Sequence, residues 1–131
     1  LFNHSSPITS CTFNSNGDKF ASSSKDSTII IYSIDWRITN YNYTNDMIQV
    51  LHTIQNAHLD WINDLKWSNS SDFLLSCSND LTLKLWNSEN GKEKCTLDKG
   101  HTSNINTCSF QYGCIVSGCS KGELKVWSHR G

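Results

Sequence analysis

HLDWINDLKWSNSSDFLLSCSNDLTLKLWN, residues 58–87, alternates apolar and polar side chains in three short runs. Ile62, Leu65 and Trp67 mark the first run, Phe73 and Leu75 the second, and Leu81, Leu83 and Leu85 the third, which closes on Trp86. Turn-forming residues at 68–72 and at Asn79-Asp80 separate the runs. Alternation broken by such punctuation predicts consecutive half-buried strands.

The pattern occurs twice more. His4, His58 and His101 are each followed four residues later by Ile8, Ile62 and Ile105. Seven residues on stand Cys11, Leu65 and Cys108, and nine on Phe13, Trp67 and Phe110. Counting back from the closing aromatics Tyr32, Trp86 and Trp127, Ser22, Ser76 and Ser117 lie ten residues earlier. Ile29, Leu83 and Leu124 lie three before, and Ile31, Leu85 and Val126 one before. Six before are Asp26 and Asp80, but Lys121 in the third copy. Self-similarity at this period is the mark of a repeat architecture.

These matched positions resemble the WD40 repeat family, whose repeats each form a four-stranded antiparallel blade of a β-propeller. The resemblance implies an all-β fold with repeats over residues 1–57, 58–99 and 100–131, the third lacking its outer strand. It also implies a hydrogen-bonded network in each blade: His4, Ser22, Asp26 and Tyr32 in the first, and His58, Ser76, Asp80 and Trp86 in the second. The third offers His101, Ser117 and Trp127, and Lys121 cannot accept a hydrogen bond from histidine. The third network is therefore expected to be incomplete. Tyr32 puts a phenol where an indole is usual, and only Gly100-His101 keeps the Gly-His pair. The second repeat also looks like early blades of the WD-repeat adaptor that activates ubiquitin-specific proteases. It is similar as well to the ribosome-associated receptor for activated kinase C.

Composition narrows the function. The chain has 131 residues, a net charge of −1 and no basic block, which disfavours nucleic acid as a partner. No apolar run is long enough for a membrane helix and no signal peptide opens the chain, so the expectation is an intracellular protein, cytoplasmic or nuclear. Six cysteines could suggest a disulfide framework. Cys11 and Cys108, however, align with Leu65 as inward-facing small hydrophobes, and all six are expected to be free thiols. No Cys-x-x-Cys is present, so neither a metal nor a cofactor is expected.

Along the chain, strands are predicted at 8–13, 19–24, 28–33 and 47–54 in the first repeat, with Leu1-Phe2 as the end of another. The connection at 34–46 is the irregular one. Its Trp36, Tyr41 and Tyr43 allow either a solvated loop or a partner-binding one. Propellers close with about four to eight blades, so three blades would leave sheet edges exposed. A piece of a longer propeller, a half-propeller that self-associates, and a chain without its remaining blades all fit this arithmetic.

Catalysis finds no support: Gly-x-Ser-x-Gly, Gly-x-x-x-x-Gly-Lys-Ser/Thr and His-Glu-x-x-His are all absent, and His129 falls in a frayed tail. The resemblance implies instead a scaffold or adaptor for other proteins or peptides. By position, its docking face would comprise Ser6, Pro7, Lys25, Asp60, Trp61, Asn79, Ser103, Asn104 and Ser120. Trp61, next to inward-facing Ile62, is either an exposed hot spot or a residue packed over the next blade's loop.

Overall fold

The computed structural model describes residues 3–37 and 47–129, which form three antiparallel sheets. The first sheet runs β1 (Ile8–Phe13), β2 (Lys19–Ser24), β3 (Ile29–Ile34) and β4 (Ile48–Ile54) in spatial order. The second has β5 (Ile62–Trp67), β6 (Phe73–Ser78), β7 (Leu83–Asn87) and β8 (Glu93–Leu97). The third holds β9 (Ile105–Gln111), β10 (Cys114–Cys119) and β11 (Leu124–Ser128). Each sheet is a meander in which strands consecutive in sequence are hydrogen-bonded neighbours, joined by short turns everywhere but between β3 and β4. Leu1-Phe2 and the centre of the long connection, with Tyr41 and Tyr43, lie outside the described residues.

Alternation along the strands gives the second sheet two apolar faces, and each buries against a different neighbour. Leu74 and Trp86 join Ala21, Ile29, Ile31, Ile62 and Leu65 in a core between the first two sheets. Leu75, Cys77, Leu83 and Leu85 join Ile105, Cys108 and Ile115 between the second and third. The four leucines of β6 and β7 are wholly buried, and burial of such a side chain stabilises by about 1.5–3 kcal/mol.

The outer faces of the arc have no such cover among the described residues. Leu83 and Leu85 are fully buried, yet their counterparts Leu124 and Val126 are 68% and 66% exposed. On the other flank Phe13 is 60% exposed where its counterpart Trp67 is buried. This corrects the expectation for Cys11, which is exposed, whereas Cys108 is buried and all six cysteines are free. Both occupy the same strand position. Only Cys108 has a sheet in front of it.

The turns follow the same repetition. Ser27, Leu81 and Gly122, one residue after the Asp or Lys of each copy, all adopt positive φ (67°, 72° and 80°). Leu81 is therefore a strained turn residue and not the inward strand residue that its place in the alternation suggests. The shorter first turn of the third sheet is a two-residue hairpin, Tyr112-Gly113, with φ of 48° and 77°, the signs a tight β-hairpin turn needs. His129 is not frayed. Its N–H donates to Gly113 O at 2.7 Å, and its ring stands edge-on to Phe73 and Phe110.

Candidate functional site

Beneath one end of the sheets lie three related side-chain clusters, of which the second is the most complete. Trp86 Nε1 donates to Ser76 Oγ at 2.9 Å, and Ser76 Oγ meets His58 Nε2 at 2.7 Å. The Asp80 carboxylate only accepts, so the imidazole carries a proton on Nδ1 and donates to Asp80 Oδ2 at 2.8 Å. In the neutral ring Nε2 then accepts from the Ser76 hydroxyl. Thr82 completes the group, its hydroxyl reaching Asp80 Oδ1 at 2.7 Å and the Leu59 N–H reaching Oδ2 at 3.1 Å. Burial raises the affinity of Asp80 for a proton, but hydrogen bonds from His58, Thr82 and Leu59 outweigh it and hold the carboxyl well below its usual range.

In the first sheet Thr28 acts as a relay. Its hydroxyl lies 2.7 Å from His4 Nδ1 and donates to Asp26 Oδ1 at 2.5 Å, while His4 Nε2 lies 2.7 Å from Ser22 Oγ. Tyr32 contributes weakly, with its hydroxyl 3.5 Å from Ser22 Oγ. Burial again opposes ionisation of Asp26, and hydrogen bonds from Thr28 and Ser5 with the charge of His4 bring it down to about 2. The third sheet keeps half of the arrangement. Trp127 Nε1 donates to Ser117 Oγ at 2.9 Å and His101 Nε2 lies 2.7 Å from the same oxygen. Lys121 provides no acceptor, and His101 Nδ1 is buried without a hydrogen-bond partner.

The depressed carboxyls fix the sign of the acid response. Their contribution to stability is complete above the unfolded value near 3.8 and is lost as pH falls through the folded values, toward about 2 for Asp26 and lower for Asp80. Urea unfolding followed from pH 5 to pH 2 should therefore show stability falling as the pH drops. In Asp80→Asn that slope should be shallower. An unchanged slope would show that Asp80 is not a source of the acid lability.

Above the clusters, the loop before each first strand is tied to the turn after the second. Lys25 N donates to Pro7 O at 3.1 Å, Asn79 N to Trp61 O at 3.0 Å, and Ser120 N to Asn104 O at 2.9 Å. Lys121 N donates to Ser103 Oγ, and Ser24 Oγ to Ser6 O. Ser27 Oγ and Ser78 Oγ both donate to Asp60 O, which fastens the second sheet's loop to the first sheet's turn. The nine residues of the expected docking face thus occupy one end of the three sheets. Trp61 is 45% exposed and carries Lys25 Nζ over its ring at 4.0 Å. The contact it makes is with the preceding sheet.

Further residues of this end were not anticipated from the sequence. Leu59 is 95% exposed, and its signal is an apolar residue directly after the histidine, where Ser5 and Thr102 are polar. Asn63 and Asn106 sit at bulges in β5 and β9 and bond the side chains of Asn79 and Ser120 at 2.6 and 3.0 Å. Asn63 also donates to Ile105 O at 2.8 Å, joining the second sheet to the third. Thr28 and Thr82 share an Asp-x-Thr spacing that was available in the sequence. Trp36 lies away from this face, and its indole N–H donates to Gly17 O at 2.7 Å.

The WD40 family, described as WD domain, G-beta repeat, matches residues 1–33, 48–87 and 91–128. The chain belongs to the WD40 repeat family. Its three sheets are propeller blades, and they form a partial, unclosed propeller. The chain is 30% identical over 131 residues to mouse telomerase protein component 1, covering all of this chain and 5% of that protein. It is 30% identical over 135 residues to a WD repeat-containing protein 91 homolog from Dictyostelium discoideum, covering 97% of this chain and 16% of the relative. Over 108 residues it is 27% identical to the Dictyostelium discoideum U5 small nuclear ribonucleoprotein 40 kDa protein, covering 82% of this chain and 27% of that one. Among solved structures, the WD40 repeats of RRP9 superpose with a TM-score of 0.80 at 19% identity, over 96% of this chain and 36% of that one. WD40 domains are in general protein-interaction scaffolds without catalytic activity.

Proposed function

We propose that this WD40 chain is a non-catalytic adaptor that docks a protein or peptide partner on the end of its blades bearing Leu59, Trp61 and Lys25. The exposure of Trp61 and Leu59 beside a cation, at an end held in register by repeated backbone bonds, carries the reading. Half-exposed tryptophans flanked by polar groups are the residues that dominate binding energy when a partner covers them. A net charge of −1 favours contact with protein over a nucleic-acid backbone. The relatives named as telomerase and U5 small nuclear ribonucleoprotein components make a protein subunit of a ribonucleoprotein assembly, nuclear or cytoplasmic, the first partner class to test. Ubiquitin-specific proteases, the small ribosomal subunit and a second copy of the chain complete the panel.

Trp61→Ala should weaken binding to the authentic partner by about 30-fold or more, the effect of losing a hot spot of about 2 kcal/mol. Tyr112, 85% exposed at the other end of the third blade, supplies the control. Tyr112→Ala should leave the affinity unchanged. Calorimetric titration of both variants decides it, and equal affinity for Trp61→Ala and the parent would remove the face from the reading.

A further inference from the structure

The third blade departs from the other two at three positions that surround one histidine nitrogen. In the first two blades this turn reads Ser24-Lys-Asp26-Ser-Thr28 and Ser78-Asn-Asp80-Leu-Thr82; Thr28, backed by Asp26, occupies Nδ1 of His4, and Asp80 with Thr82 occupies Nδ1 of His58. In the third it reads Cys119-Ser-Lys121-Gly-Glu123. Serine, aspartate and threonine have become cysteine, lysine and glutamate together. His101 is 6% exposed, and its Nδ1 has no hydrogen-bond partner. A buried polar atom without a partner is costly and calls for an explanation. The ligand atoms of His101, Cys119 and Glu123 all lie within 4.8 Å of one another.

We propose that the third blade binds a zinc ion through His101 Nδ1, Cys119 Sγ and the Glu123 carboxylate, with water as fourth ligand. Imidazole, thiolate and carboxylate are the donors zinc takes, at about 2.0–2.3 Å, so tetrahedral ligands stand about 3.5 Å apart. Closing from 4.8 Å asks for a movement of about 1 Å. The backbone already holds two of the ligands together, since Cys119 N donates to Glu123 O at 3.1 Å across the tight β10–β11 turn. Ser117 fixes the far side of the His101 ring through Nε2, and Thr102 Oγ1 donates to Glu123 Oε1 at 2.7 Å. Such outer partners orient metal ligands. On binding, the Cys119 thiol releases its proton to solvent, and thiolate and carboxylate together balance the ion's two positive charges. Lys121 is exposed, so its charge can stay in water. The ion takes the place that Asp80 holds beside His58 and closes the blade network.

The test is a titration of the full chain with Co2+ and then Zn2+ after chelator treatment, with Cys11→Ser and Cys114→Ser introduced to remove the exposed thiols. One Co2+ per chain should bind, with a near-ultraviolet thiolate-to-cobalt charge-transfer band and the visible bands of tetrahedral cobalt, and Zn2+ should displace it. Adding Cys119→Ser should abolish the charge-transfer band and weaken Zn2+ by more than about 100-fold, beyond the 10–100-fold effect of losing an outer partner. Glu123→Gln removes the carboxylate donor and should also weaken Zn2+ by more than about 10-fold, while matching the parent's far-ultraviolet circular dichroism. A band that persists in the Cys119→Ser protein overturns the proposal. So does its absence from parent protein whose circular dichroism shows β structure.

Discussion

Replacing His58 by alanine should destabilise the chain by about 3–5 kcal/mol, whereas the same change at His101 should cost roughly 1–2 kcal/mol beyond the packing loss that both variants share. The two histidines hold equivalent places, both buried, both 2.7 Å from a strand serine, both beside a tryptophan. They differ at Nδ1. His58 faces Asp80, whose side chain is 6% exposed and ionised, and removal of the ring leaves that carboxylate buried with one donor fewer. His101 Nδ1 bonds no acceptor, so its removal takes no donor from a buried carboxylate. Urea denaturation of the two metal-free variants side by side measures the difference. Adding Asp80→Ala to His58→Ala should recover part of the loss, because the orphaned charge goes with it. Equal losses at the two histidines would show that the networks contribute through packing alone.

That contrast connects the buried clusters to the surface above them. Asp80 Oδ2 accepts from the Leu59 N–H, and Asp26 Oδ2 from the Ser5 N–H at 2.8 Å. The loop that presents Leu59 and Trp61 is therefore pinned from below by the aspartate that the histidine orients. Buried polar groups with all partners in place fix one arrangement among many. In the third blade the pin is missing, because Lys121 lies exposed. Its loop, with Ser103 and Asn104, is held by the Lys121 N–H to Ser103 Oγ and the Ser120 N–H to Asn104 O. The face is pinned in this way at the first and second blades, and the second carries its most exposed apolar residue, Leu59.

The strands were legible because alternation is local: each run contains its own period, and in the first sheet the observed ends fall within one residue of those expected. Burial was less legible, since it depends on what stands in front of a strand. Cys11 and Cys108 share one position in the repeat and take opposite environments, a difference that exists only between sheets. Leu81 fits the alternating pattern by identity, yet the two-residue offset from Asp80 to Thr82 places it at the left-handed position of the turn. The histidine, serine, aspartate and tryptophan were readable by counting. Thr28 and Thr82 were overlooked because a threonine in a Ser- and Thr-rich turn carries no compositional signal. The grouping of His101, Cys119 and Glu123 needs the hairpin to fold a distant loop onto the turn, which spacing alone does not reveal.

Gly100→Ala should cost about 2–4 kcal/mol, a large effect for one added methyl. A Cβ at Gly100 would stand 2.5 Å from Trp127 Cζ2 and closer still to Cη2, where carbon atoms settle at about 3.5–4.0 Å. The obstacle is a rigid indole, so the whole ring must move by about 1 Å or more to restore that spacing. Trp127 is anchored through Nε1 to Ser117 Oγ at 2.9 Å, and the same oxygen holds His101 at 2.7 Å. Displacing the ring therefore strains both bonds and opens the core between the second and third blades, against which Trp127 packs. The second blade carries Ala57 at the same place, fully buried, so a methyl there is compatible with a neighbouring blade and the exclusion is specific to the position of Trp127. Gly118→Ala is the control, because its Cβ would meet only the Thr107 methyl, at 3.2 Å. That methyl can rotate away, and the cost should stay below about 1 kcal/mol. Urea midpoints give the stabilities, and a red shift of tryptophan emission in Gly100→Ala should report exposure of the displaced indole. If Gly100→Ala matches the parent in both measurements, Trp127 has room that its present position denies, and the glycine before His101 has no steric role.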